Sequence, residues 1–95
     1  DIVTVKGVDV VFVGPGDLAA SLGLRGQPGD KLVQDAIEQV LKTCRDANKP
    51  VGCHVETPEA ANERIAQGFQ FVALSLDMSF LVEGCQKALL AVKRV

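Results

Sequence analysis

The segment Gly14-Pro15-Gly16-Asp17 ends an apolar run and opens onto a stretch of small residues, Leu18 to Ser21. Its two glycines let the backbone turn sharply and approach a ligand without a Cβ in the way. A helix starting near Leu18 would present unpaired N–H groups to an anion, and Gly16, Asp17 and Leu18 carry the candidate amides. Asp17 puts a negative charge in the same corner. Two readings stand. Asp17 is the N-cap of the helix LAASL, a common role for Asp. Alternatively, a hard divalent cation bridges Asp17 and a substrate that bears a carboxylate beside a keto group. The segment has no Walker spacing, and a lone Gly-x-Gly is weak evidence.

His54 is the single histidine. It falls at the end of a short apolar run, opposite Cys53 by strand alternation. It is either a pocket-lining group that meets a substrate oxygen or a partly exposed strand-end residue. Glu56 and Asp77 are further candidate pocket acids, although each stands where a helix N-terminus favours an acid in any case.

Elements of the right kind surround these residues. Val8 to Gly14 (VDVVFVG) is continuously apolar and β-branched, as in a strand covered on both faces of a parallel sheet. Leu32, Val33, Ala36, Ile37, Val40, Leu41 and Cys44 recur at helical steps. Asp30 caps that helix and Asn48-Lys49-Pro50 stops it. Pro50 to Val55 reads as a strand. Thr57-Pro58-Glu59 begins a helix that Gly68 ends. Phe69 to Ser75 is the third strand. Ser79 opens a last helix, running to Val95, in which Val82, Cys85, Ala88, Leu89 and Val92 share a face.

The order β-α-β-α-β-α without a hairpin signal predicts parallel strands joined by right-handed crossovers. Three such strands do not finish a sheet, and a closed (β/α)8 barrel needs about 200 residues or more. Residues 1–95 therefore read as part of one domain, with an open sheet covered by another chain as the alternative. Ligands in parallel α/β folds bind beyond the strands' C-terminal ends. Those ends are Gly14 to Asp17, His54 to Thr57 and Ser75 to Asp77.

Composition narrows the class further. The chain has 47% apolar residues and a net charge of -2, with neither a basic cluster nor an aromatic ladder, which argues against a nucleic-acid surface. No apolar run approaches the roughly 18 residues of a membrane span, and no leader pattern opens the chain. The three cysteines show no metal-ligand spacing and suit reduced thiols in the cytoplasm. Cys44 and Cys85 fall on apolar helical stripes and read as buried, whereas Cys53 is open.

The run GPGDLAASLG, Gly14 to Gly23, resembles the G-P-[GA]-D-L-[SA]-x-S-L-G motif of the HpcH/HpaI aldolase (citrate lyase β-like) family, with GFQFVA at Gly68 to Ala73 in support. The resemblance covers nearly the whole chain and implies the C-terminal part of a (β/α)8 barrel, with the N-terminal half absent. It implies a class II aldolase that reversibly cleaves 4-hydroxy-2-oxo acids to pyruvate and an aldehyde. Asp17 would be one of two carboxylate ligands of Mg²⁺, Mn²⁺ or Co²⁺, and the backbone at Gly14, Gly16 and Asp17 would hold the pyruvate carboxylate. His54 would stand at a substrate-lining position on the aldehyde side, where family members often have an apolar residue. A metal on the keto oxygen would act as a Lewis acid and stabilise the enolate, with no lysine Schiff base.

The family's glutamate ligand, arginine and proton-transfer histidine belong to the barrel's first half. No residue of this chain is assigned to catalysis, and the isolated chain is expected to be inactive. Family members form trimers or hexamers, to which the apolar last helix would contribute. A non-enzymatic anion-binding or assembly module derived from such a barrel is the alternative, and a chain unable to fold alone is a third.

Overall fold

The computed structural model describes residues 1–93. A short 3-10 turn at Ile2–Thr4 leads into β1 (Val11–Val13), α1 (Pro15–Ser21), α2 (Lys31–Asp46), β2 (Val51–Val55), α3 (Pro58–Gln67), β3 (Phe71–Leu74) and α4 (Asp77–Ala91). The strands are parallel in the order β1-β2-β3, with Val13 beside Cys53 and His54 beside Ala73. This is the α/β arrangement expected from the alternation of elements.

Local chemistry sets the helix ends. Asp30 caps α2, its carboxylate accepting from the Leu32 amide at 2.9 Å. Thr57 caps α3 by accepting from the Ala60 amide at 3.1 Å, and Pro58 takes the first helical position, where no donor is needed. Gly68 closes α3 at φ 114°, a left-handed conformation that side chains resist. Arg45 of α2 donates to the Gln67 carbonyl at 2.6 Å, satisfying an acceptor that the helix end leaves over.

Three expectations about β1 and α4 need correction. β1 starts at Val11 and not Val8, because its ladder begins where the Val11 amide meets the Pro50 carbonyl. Pro50 has no N–H to offer in return, and Lys49 instead donates through Nζ to the Val8 carbonyl at 2.6 Å. Nor is β1 covered on both faces: Val13 is buried, but Phe12 is 45% exposed. Phe71 on β3 is likewise 58% exposed. Only β2, the central strand, is buried along most of its length.

The third correction concerns α4, which starts at Asp77, before Ser79, and has no buried residue. Cys85 is exposed, as are Val82 and Leu89. Periodicity puts these residues on one face, but burial requires something packed against it, and no described element covers it. Val92 is extended and follows the helix; the expected continuation over 94–95 lies outside the described residues.

The core lies between the sheet's outer face and α2. Val33, Ile37, Leu41 and Cys44 pack with Val13, Val51, Cys53, Ala19 and Phe69. Leu32, expected on that stripe, is exposed at the first turn of α2.

Candidate active site at the strand ends

α1 begins at Pro15, with Gly14 as N-cap, so Asp17 is not the cap residue. Proline's fixed φ starts the helix, and Asp17 lies in its first turn, where the positive end of the helix dipole favours a carboxylate. Its Oδ2 turns back toward Gly14 and would lie 3.3 Å from a Cβ built there. The Leu18 amide donates to the Gly14 carbonyl at 2.9 Å and is not free for an anion. Gly16 and Asp17, at the second and third helical positions, keep the amides that a helix start leaves without intrahelical acceptors.

This corner opens on a cleft of ≈ 500 Å³ lined by Phe12, Gly14, Pro15, Gly16, Asp17, His54, Glu56 and Leu76. The fold thus gathers Gly14, Gly16, Asp17 and His54 at one place. Asp77 does not line this cleft: its Oδ1 accepts from the adjacent Met78 amide at 2.8 Å, at the start of α4.

The His54 imidazole is already engaged. Its Nε2 lies 3.1 Å from the Ser75 carbonyl oxygen, and since a carbonyl only accepts, Nε2 carries the proton. Nδ1 faces Glu56 Oε1 at 3.6 Å. Cys53 points the other way into the core, where burial pushes its thiol pKa up, with Arg64 opposing. Burial alone does the same to Cys44.

As a metal position, the corner supplies one hard oxygen ligand. Asp17 is exposed and accessible, while among the described residues no three His, Cys, Asp or Glu side chains gather as a ligand set. Its chemistry suits a divalent cation that draws its remaining ligands from elsewhere.

Three features escaped the sequence reading. Gly52 is the gap across which Phe12 and Phe71 meet edge to face, ring centroids 5.5 Å apart. A Cβ there would stand 2.6 Å from the Phe71 carbonyl and 2.7 Å from Phe12 Cδ2. A glycine inside a strand signals such an approach. Ser75 adopts a positive φ of 57°, which nothing in its residue type announces. Arg64 stacks 5.7 Å over Phe69 and donates to Gln34 Oε1 at 2.8 Å; Gln34 Nε2 in turn donates to the Pro28 carbonyl, tying α3 to α2 and its preceding loop.

Three parallel β-α units with a glycine-acid corner at the strand ends fit a segment of a (β/α)8 barrel. The family model of HpcH/HpaI aldolase/citrate lyase matches residues 1–83, and the chain belongs to that family. It is 40% identical over 86 residues to a hydroxypyruvate/pyruvate aldolase of Cupriavidus necator, covering 90% of this chain and 32% of that enzyme. Over 85 residues it is 38% identical to a 4-hydroxy-2-oxo-heptane-1,7-dioate aldolase of Shigella sonnei, again covering 90% and 32%. The solved HpcH/HpaI family structure from Burkholderia cenocepacia superposes with a TM-score of 0.90 at 36% identity, covering 94% of this chain and 35% of that one. The chain spans about a third of the length of these relatives.

Proposed function

We propose that this chain is the segment of a class II, metal-dependent 2-oxo acid aldolase that carries the substrate-carboxylate corner and one metal ligand. The complete barrel cleaves 4-hydroxy-2-oxo acids reversibly to pyruvate and an aldehyde. The observation that carries this reading is the corner itself: an accessible acid beside two unspent amides at a strand end, within the family's most specific motif. The names of the two aldolases support the substrate class.

In this reading the Gly16 and Asp17 amides bind the pyruvate carboxylate, and the helix dipole adds to their pull. Gly14 and Gly16 keep the approach free of side chains. Asp17 holds a divalent ion, Mg²⁺, Mn²⁺ or Co²⁺, which when bound supplies Lewis acidity to the keto group. Phe12, His54 and Leu76 wall the cleft. In this reading the family's acid-base groups come from an N-terminal half of the barrel, and the isolated chain is inactive. On the same reading the exposed apolar residues of α4 are covered by neighbouring units of the barrel or by another subunit of a trimer or hexamer, and three free thiols suit the cytoplasm.

The test is pyruvate release from 4-hydroxy-2-oxo acids with Mg²⁺ or Mn²⁺, measured on the full-length protein carrying this chain. Asp17→Ala is expected to lower kcat/KM at least about a hundredfold while the protein stays folded. Full activity in that variant would overturn the reading. Titration calorimetry with oxalate adds a second arm, since tight binding indifferent to metal would favour an anion-binding or assembly module.

A further inference from the structure

Ser75 is a non-glycine residue held at φ 57°, in the left-handed region, and it is buried. Such a conformation persists only where its surroundings over-determine it. Two hydrogen bonds do so here, both from β2 or its end. The Ser75 amide donates to the Val55 carbonyl at 2.7 Å, and the Ser75 carbonyl accepts from His54 Nε2 at 3.1 Å. Glu56 Oε1 stands 3.6 Å from the opposite ring nitrogen, too far for a hydrogen bond, so the Nε2 contact alone ties the imidazole to the bend. Immediately after this bend the chain extends at Leu76, which lines the Asp17 cleft and caps α4, its carbonyl accepting from the Phe80 amide at 3.0 Å.

We infer that His54 is a positioning residue: its imidazole clamps the left-handed bend at Ser75 and thereby sets Leu76 as a wall of the cleft, without itself donating to substrate. The inference builds on the aldolase reading of the same cleft, but the clamp stands on geometry alone. With its one N–H at Nε2 committed to a backbone carbonyl, and Nδ1 an acceptor in this tautomer, the ring has no spare donor for a substrate oxygen. Losing the clamp leaves Leu76 to be ordered as substrate binds, so the loss falls on KM more than on kcat.

Epistasis between the two ends of the clamp provides the test, made in the full-length protein. His54→Phe keeps an aromatic ring but removes the donor; it is expected to raise KM for the oxo acid roughly three- to tenfold, with kcat changed less than twofold. Glycine adopts positive φ freely, so adding Ser75→Gly to His54→Phe is expected to recover most of that loss. His54→Gln, which restores an N–H donor, is expected to recover part of it. Hydrogen exchange at the Ser75 and Met78 amides reads the clamp independently of turnover and is expected to speed up at least about tenfold in His54→Phe. A fall in kcat that Ser75→Gly does not repair would make His54 a substrate contact and overturn the inference. Unchanged exchange would overturn it too. Faster exchange in a protein without aldolase activity would instead refute the aldolase reading and leave the clamp standing.

Discussion

The two faces of this sheet differ sharply. The outer face is sealed within the chain: Ile37, Val33, Cys44 and Cys53 are fully buried between strands and α2. The inner face carries Phe12, Gly52, Phe71, His54 and Ala73, and its aromatic rings remain substantially exposed. In a closed (β/α)8 barrel the inner face is filled by side chains from strands all around the ring, whereas the outer face needs only the helices of neighbouring units. The outer face thus holds these units together, and the proposed chemistry belongs to the inner face's C-terminal rim.

That contrast is open to attack, starting with the outer face. Ile37→Ala removes a fully buried side chain and is expected to cost about 2–5 kcal/mol of stability, read by urea unfolding. A cost as small as that of a surface substitution would mean the outer core is not the framework described here.

Gly52→Ala tests the inner face. The added Cβ meets a backbone carbonyl as well as two rings, and a carbonyl within a strand ladder cannot step aside. The expected cost is about 1–3 kcal/mol, with the Phe12 and Phe71 rings forced apart in a crystal structure. A neutral substitution would show that the inner layer is slack.

The smallest effect is a pH dependence of the outer core. Burial raises the Cys44 thiol above its usual 9.0, so the folded state keeps the proton after the unfolded chain has begun to lose it. Between those two values the folded state binds more protons, so stability falls as pH rises; it is complete below about 9. Melting temperatures from pH 8 to 10 are expected to fall more steeply in the wild type than in Cys44→Ala. The same burial makes Cys85 the first thiol to react with an alkylating reagent, since it alone of the three is exposed.

Most of the fold was legible because its signals are local. Asp30, Thr57-Pro58 and Gly68 terminate helices through hydrogen bonds and φ preferences within a few residues of themselves. The stripe on α2 identified the outer core because a helix period maps directly onto a face. The same logic failed for Cys85 and for Phe12, whose burial depends on what lies opposite. It also misplaced the start of α1, since Pro15 at the first helical position outranked Asp17 as a cap. Of the candidate site, the Gly14 to Asp17 corner was visible as a motif, while the engagement of His54 was not: its partner is the carbonyl of Ser75, just beyond the end of β3.

By itself the sequence determined the order of elements, their parallel character and the corner at Asp17, all of which follow from short-range preferences and periodicity. Only the tertiary structure decided which apolar faces are covered and that Gly52 yields its space to two rings. It also decided that an imidazole from the neighbouring strand meets the carbonyl of Ser75, whose φ is positive. Those outcomes depend on what stands across a few ångströms of space, and residue type alone does not encode that distance.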